Sequence, residues 1–208
     1  WSETPVCYIG TGLGPRDRND ALDTWNYEEG QNVHVMCYTN GTSAALFLNG
    51  KQVGENKKYD MADGVISWDV PYQAGTLKAV SYDETGKPAA EYEIKTCGRP
   101  YALKVSSDKL VLEGERSVAH VLVEIVDENG VTVPFGDNEI TCVVKGSGTL
   151  LGLEGSNNAD MTNYNDNVHR AYRGRLLAFV QAAGEDGEIE VSFRTPLLKS
   201  GSVTIKVE

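Results

Sequence analysis

The sequence predicts an all-β chain of two tandem immunoglobulin-like β-sandwich domains. Three observations carry this. Apolar residues recur at every second position in short runs, the mark of half-buried strands. Each run is closed by Gly, Asn, Asp or Pro turn residues at the spacing of a sandwich. The punctuation Cys97-Gly98-Arg99-Pro100 divides the 208 residues into two parts of ordinary domain size. The expected organisation is an irregular segment over 1–24 packing on the first domain, a first sandwich over 25–97 and a second over 98–208.

Taken in order, Gly10-Thr11-Gly12-Leu13-Gly14-Pro15 reads as a loop. Its spacing is not that of a G-x-G-x-x-G phosphate loop, and no helical pattern follows. From Asn32 the alternation begins, with Val33, Val35 and Cys37 on one face and His34, Met36 and Tyr38 on the other. The apolar run 44–48 ends in Asn49-Gly50, a pair that favours a type I′ hairpin because both residues need positive φ. Gln52-Val53-Gly54 starts the return, and 65–70 forms a strand stopped by Pro71. Runs 76–82 and 90–94 make a hairpin around Asp83-Glu84-Thr85-Gly86.

The second half repeats the theme. Leu103 to Val105 is short, and 118–126 is long, with Ala119, Val121, Val123 and Ile125 on one face. Asp127-Glu128-Asn129-Gly130 turns it into 131–133. Ile140, Cys142 and Val144 alternate, and runs at 176–181, 189–193 and 203–207 complete the set. The stretch 152–175 is a long polar loop, a kind of segment that is usually functional or disordered.

Composition excludes several classes. A net charge of −11 leaves no basic footprint for nucleic acid. No run approaches the roughly 18 apolar residues of a membrane span. The start at Trp1, without Met or a signal-peptide pattern, is the expectation for a mature or shortened polypeptide. Cys7, Cys37, Cys97 and Cys142 are too few and scattered for a disulfide scaffold or a zinc site. Cys37 and Cys142 read as buried thiols, while Cys7 and Cys97 flank the first domain and are candidates to pair.

Candidate sites are few. With 30 acidic residues, carboxylate pairs carry no information about glycoside hydrolysis, and Asn138-Glu139 reads as a turn. His34, His120 and His169 are not spaced to chelate a metal, and His34 and His120 read as exposed strand positions. Weak calcium candidates are Asp160 and Asp166, with Glu154 the other carboxylate of the loop, but their spacing is not that of an EF-hand. Trp1, Trp25 and Trp68 are the tryptophans available for stacking on a sugar, and Trp68 reads as core from its neighbours Ile66 and Val70. A carbohydrate site would use Trp25 or Tyr164 as the platform, with Asn157 and Asn158 bonding to hydroxyls. Asn40-Gly41-Thr42 fits a sequon, which an Asn-Gly turn explains equally well. No cofactor is implied.

Several motifs appear together. Trp25-Asn26-Tyr27, Gly30 and the run 33–40 precede Leu46-Phe47-Leu48-Asn49-Gly50-Lys51 and Val53-Gly54. Trp68-Asp69-Val70-Pro71-Tyr72 and Gly75-Thr76-Leu77-Lys78-Ala79 follow. This order resembles a module found after the barrel in family 2 glycoside hydrolases, the β-galactosidase group. The second half is similar to the terminal domain of such enzymes, through Val123 to Asp127, Asn129-Gly130, Val133-Pro134, Gly146-Ser147-Gly148, Tyr172 to Arg175 and Val180-Gln181-Ala182. The polar stretch Leu153 to Asn158 departs from that pattern.

The resemblance implies a C-terminal, non-catalytic region of a bacterial polysaccharide-degrading enzyme. Its catalytic glutamates would sit on a missing upstream barrel of the same chain, and no position here inherits them. It implies a periplasmic or extracellular location. Three functions follow as alternatives: an accessory module bracing the barrel or shaping its rim, a carbohydrate-binding module for a glycan partner, and cell-surface adhesion repeats. The accessory reading predicts an exposed apolar patch.

Overall fold

The computed structural model describes residues 3–14, 21–59, 61, 64–184 and 186–208. The chain divides into two compact units, Trp1–Thr96 and Cys97–Glu208. Every regular element among the described residues is a strand.

The first unit contains β1 (Cys7–Gly12), β2 (Asn32–Thr39), β3 (Ser43–Leu48), β4 (Lys51–Lys58), β5 (Ile66–Pro71), β6 (Thr76–Tyr82) and β7 (Pro88–Lys95). They form a sheet in the order β1-β2-β5 and a second in the order β4-β3-β6-β7. One apolar core includes Ile9, Val33, Val35 and Cys37 from the first sheet and Leu46, Leu77 and Ala79 from the second. The alternation of β2 therefore does what its period demands: Val33, Val35 and Cys37 join the core as one set. Asn49 and Gly50 have φ of 51° and 79°, which gives the β3–β4 hairpin its left-handed turn.

The segment expected to be irregular over 1–24 contributes a strand. β1 pairs with β2 along its whole length, from Cys7 opposite Thr39 to Gly12 opposite His34. The glycine read as a loop former at position 10 lies inside this strand. A Cβ there would stand 2.6 Å from the Ala21 Cβ, so Gly10 admits a close neighbour instead of bending the chain. Thr11 then bridges to Leu22.

The second unit contains β8 (Ala102–Ser107), β9 (Val111–Leu112), β10 (Val118–Val126), β11 (Glu139–Gly146), β12 (Gly148–Glu154), β13 (Val168–Arg170), β14 (Arg175–Ala182), β15 (Gly187–Arg194) and β16 (Gly201–Val207). Their sheets run β12-β14-β10-β8 and β13-β11-β15-β16-β9. The core between them takes Val121, Val123 and Ile125 from β10, Leu176, Ala178 and Val180 from β14, and Ile189, Val191 and Phe193 from β15. The 131–133 run, expected as a strand, makes a single bridge, Val126 to Thr132. Asp127 shapes the turn before it. Its Oδ1 accepts the backbone N–H of Asn129 and of Val131, and its Oδ2 accepts that of Gly98, at 2.9, 2.9 and 2.8 Å. This buried carboxylate fixes the turn that returns 131–133 beside β10, where the Asp127 N–H donates to Val131 O at 2.9 Å and the Val133 N–H to Ile125 O at 2.8 Å. Burial pushes its carboxyl up, but the backbone donors, Gly98 foremost, outweigh that and hold it below the usual carboxylate range.

Candidate functional site

The polar loop is ordered by its own side chains. Asn157 Oδ1 accepts the Ala159 N–H at 3.1 Å, and the Asp160 N–H donates to Asn157 O at 2.9 Å. Asp160 Oδ1 accepts the Thr162 N–H at 2.9 Å, and its Oδ2 faces His169 Nε2 at 3.3 Å. Tyr164 donates its hydroxyl to Asp160 O at 3.0 Å and lays its ring 5.2 Å from the His169 imidazole. The Tyr164 carbonyl in turn accepts the Leu153 N–H of β12 at 2.8 Å, so the loop folds back on the sheet. Strand β13 inside it pairs with β11.

This arrangement brings Asn157, Asp160 and Tyr164 together and leaves Asn158 and Asp166 on the surface. The Asp160 carboxyl is held below the usual carboxylate range, first by the Thr162 backbone N–H. Asp166 is not part of that cluster, and its backbone N–H bonds to Asn163 O at 3.3 Å. Among the described residues no group of three or more His, Cys, Asp or Glu stands where it could hold a metal ion.

Trp25 is corrected outright as a sugar platform. It is 0% exposed, packed edge-on against Tyr72 at 5.2 Å and Tyr27 at 6.1 Å. Its Nε1–H donates to Gln73 O at 3.0 Å. An indole enclosed on all sides has no face to offer a pyranose. Trp68 is also buried, and Trp1 lies outside the described residues. His34, expected on an exposed face, is buried with Nδ1 2.9 Å from Asp69 Oδ1, whereas His120 is exposed beside Asp108. The Asn40 side chain, read as a sequon, donates to Thr4 O and accepts the Val6 N–H.

The surface that sequence reading missed is the outer face of the sheet β12-β14-β10-β8. Strand β14 is apolar at both parities. Leu176, Ala178 and Val180 face the core, while Leu177 and Phe179 face outward and are half-buried. Leu177 stands opposite Leu122 of β10, and Phe179 opposite His120, whose ring meets it edge-on at 5.3 Å. On its other side Phe179 faces Gly152, which has no side chain to fill the space. A bulge between Leu150 and Gly152 exposes Leu151 beside this gap. The result is an open pocket of about 480 Å³ lined by Leu151, Gly152, Leu153, Glu154, Tyr164, Asn165 and Phe179.

A second pocket of about 380 Å³ adjoins it across Glu154 and is lined by Leu122, Leu177, Ser156, Tyr172, Arg173 and Arg175 among others. Arg173 (φ 51°) and Gly174 (φ 75°) form a left-handed turn that sets the Arg173 guanidinium 5.4 Å from the Tyr172 ring centre. Glu124 borders this face, between Lys104 at 3.3 Å and Arg175 at 3.6 Å, and accepts the Thr132 hydroxyl at 2.9 Å. Burial pushes the Glu124 carboxyl up, but the Thr132 hydroxyl and the two cations bring it below its ordinary range. Glu154 is the one carboxylate among the described lining residues of both pockets. The lining is largely apolar, with Glu154, Arg173 and Arg175 at its borders. In the first unit, a groove of about 720 Å³ passes over Leu48, Val53, Val70 and Tyr72. Its aromatic residue is the Tyr72 already packed against Trp25.

Comparison with known proteins places this architecture. Residues 103–204 match the family model described as Glycoside hydrolase family 2 C-terminal domain 5. The chain corresponds to the C-terminal domains of a family 2 glycoside hydrolase. Residues 30–90 of this family 2 region match a second model, Domain of unknown function (DUF4982). The chain is 31% identical to Beta-galactosidase BoGH2A of Bacteroides ovatus over 88% of its own length and 22% of that protein's. It is 28% identical to a putative beta-glucuronidase of Formosa agariphila over 92% of its length and 18% of that protein's. A beta-glycosidase from Bacteroides vulgatus superposes over 100% of this chain and 25% of its own, with a TM-score of 0.86 at 26% identity. The chain thus spans about a fifth of the length of the curated relatives it matches.

Proposed function

We propose that this family 2 region is a non-catalytic accessory part of an O-glycosyl hydrolase, β-galactosidase-like, that degrades carbohydrate in the periplasm or outside a bacterial cell. Its task is to brace an upstream catalytic barrel of the same polypeptide. The observation that carries the reading is β14, whose second apolar face, Leu177 and Phe179, is only half-buried among the described residues of the second unit. A strand with apolar residues at both parities is ordinarily packed on both sides. The comparisons support the parent's chemistry, since the relatives named above are glycosidases of several times this length.

The test uses the parent enzyme and the 208-residue chain side by side. Leu177→Asp with Phe179→Asp is expected to leave the melting of the short chain nearly unchanged, because both side chains point away from its core. In the parent the same pair should lower both melting temperature and galactoside hydrolysis. Equal effects in the two contexts, or none in the parent, would overturn the bracing role. Saturable binding of the short chain to a glycan would instead favour the carbohydrate-binding reading.

A further inference from the structure

The sulfurs of Cys7 and Cys37 lie 3.7 Å apart inside the first sandwich. Cys7 opens β1 and Cys37 lies in β2, its partner strand among the described residues. The register sets Cys7 opposite Thr39 and Ile9 opposite Cys37, which makes the two cysteines diagonal neighbours. Diagonal positions on one face of an antiparallel pair are within side-chain reach. Both cysteines join the apolar cluster between the sheets, where Cys7 Sγ also lies 3.7 Å from Ala79 O of β6. Cys97 and Cys142 belong to the core of the second unit. The sequence left a Cys7–Cys97 pairing open, and within the first unit the neighbour of Cys7 is Cys37.

A disulfide needs the sulfurs at about 2.05 Å, so the 3.7 Å separation must close by about 1.6 Å. Strand β1 can supply that movement. It is the end strand of its sheet, and among the described residues its backbone bonds away from β2 are those of Thr11 with Leu22, at the opposite end of the strand from Cys7; edge elements open more readily than central ones.

We propose that Cys7 and Cys37 form a cross-strand disulfide that staples edge strand β1 to β2 when the chain meets a thiol–disulfide oxidant. The hydrogen bond with Cys37 holds the Cys7 thiol below its ordinary range, against the effect of burial. The same contact and burial push Cys37 far up. Cys7, at the start of the edge strand and 8% exposed against 0% for Cys37, is the thiol an oxidant reaches first, and its thiolate is the attacking group. It bonds to one sulfur of the oxidant's disulfide, that S–S bond breaks, and a first thiolate leaves. Cys7 in the mixed disulfide carries no charge, so the negative neighbour that opposed ionisation of Cys37 is gone. Cys37 then releases its proton, attacks Cys7 Sγ and expels the second thiolate. Two protein thiols lose two electrons and two protons in all, and the oxidant's disulfide becomes two thiols.

The experiment is peptide mapping of the purified wild-type protein after incubation with oxidised glutathione. Remaining thiols are alkylated in denaturant, and trypsin then separates Cys7 from Cys37 by cleaving at Arg16 and Arg18. Cys97 and Cys142 should be alkylated, while Cys7 and Cys37 appear as one cross-linked species that reduction splits. The oxidised first unit should melt at least ~5 °C above the reduced one, because the link restricts the unfolded chain. Cys37→Ser should abolish the cross-linked species. Recovery of both cysteines as free thiols, a lasting glutathione adduct on Cys7, or a Cys7–Cys97 link would each overturn the proposal. The peptide map is read on wild-type protein, so the outcome does not depend on a variant folding.

Discussion

Replacing Trp25 with Ala separates a sugar platform from a structural indole. The side chain is 0% exposed and sits edge-on between Tyr27 and Tyr72. Deleting a large buried aromatic costs about 3–5 kcal/mol, because its transfer energy is lost and the cavity collapses only in part. Gln73 O also loses its indole donor, which adds about 1 kcal/mol. A loss of at least about 4 kcal/mol lowers the melting temperature of a domain this size by at least about 16 °C. Trp25→Phe keeps a ring in the cluster but gives up the indole bond, so it should fall between wild type and Trp25→Ala. Calorimetric melting resolves the first unit's transition, and tryptophan fluorescence during glycan titration is the companion assay. A Trp25→Ala protein that melts within about 5 °C of wild type, yet loses a saturable sugar response that wild type has, would refute the reasoning.

Asp127 should confer acid sensitivity on the second unit. Its carboxyl is held below the ordinary range in the folded state, so its contribution is complete above the unfolded value of about 3.9 and is lost as pH falls through the lower folded value. Asp127→Asn should flatten the acid limb of melting temperature against pH and lower the neutral-pH melting point, which thermal scans from pH 2 to 7 will read. Gly174→Ala should destabilise the second unit by at least about 2 kcal/mol, since Gly174 has φ of 75° and an added Cβ would stand 2.2 Å from Val133 O. Denaturant unfolding measures this, and an unchanged midpoint would contradict the geometry.

The strands with clean alternation were legible because one parity had to be buried. Val33, Val35 and Cys37 form a core face, as do Ala119, Val121, Val123 and Ile125. The short strands were not legible. β9 has two residues and β13 three, too few for a period to register. β1 was hidden by its glycines, which serve close packing as readily as turns. Trp25 failed as a candidate because a sequence gives the type of an aromatic residue but not its enclosure. The outer face had a signal that went unused: Leu176-Leu177-Ala178-Phe179-Val180 is apolar at consecutive positions, so two-sided covering could have been inferred.

The two candidate surfaces of the second unit differ in what a ligand would have to displace. In the polar loop, the Asp160 carboxylate, the Tyr164 hydroxyl and the Asn157 amide oxygen are already engaged within the loop. A sugar hydroxyl binding there must first break one of those bonds, and the exchange returns little net energy. On the sheet face, Leu122, Leu177 and Phe179 are half-buried by their own neighbours and have no internal hydrogen bonds to surrender. Fully burying a Leu or Phe side chain from exposure is worth about 1.5–3 kcal/mol, and a half-buried one retains part of that for a partner. Three such residues in register across β10 and β14 outweigh anything the loop can offer a small polar ligand. The Glu124 ion pairs at the border resist misplacement, since a partner covering them without replacement donors would strand a charge. Those energetics favour a broad protein surface over a sugar as the occupant, and they make the double substitution at Leu177 and Phe179 in the parent enzyme the decisive measurement.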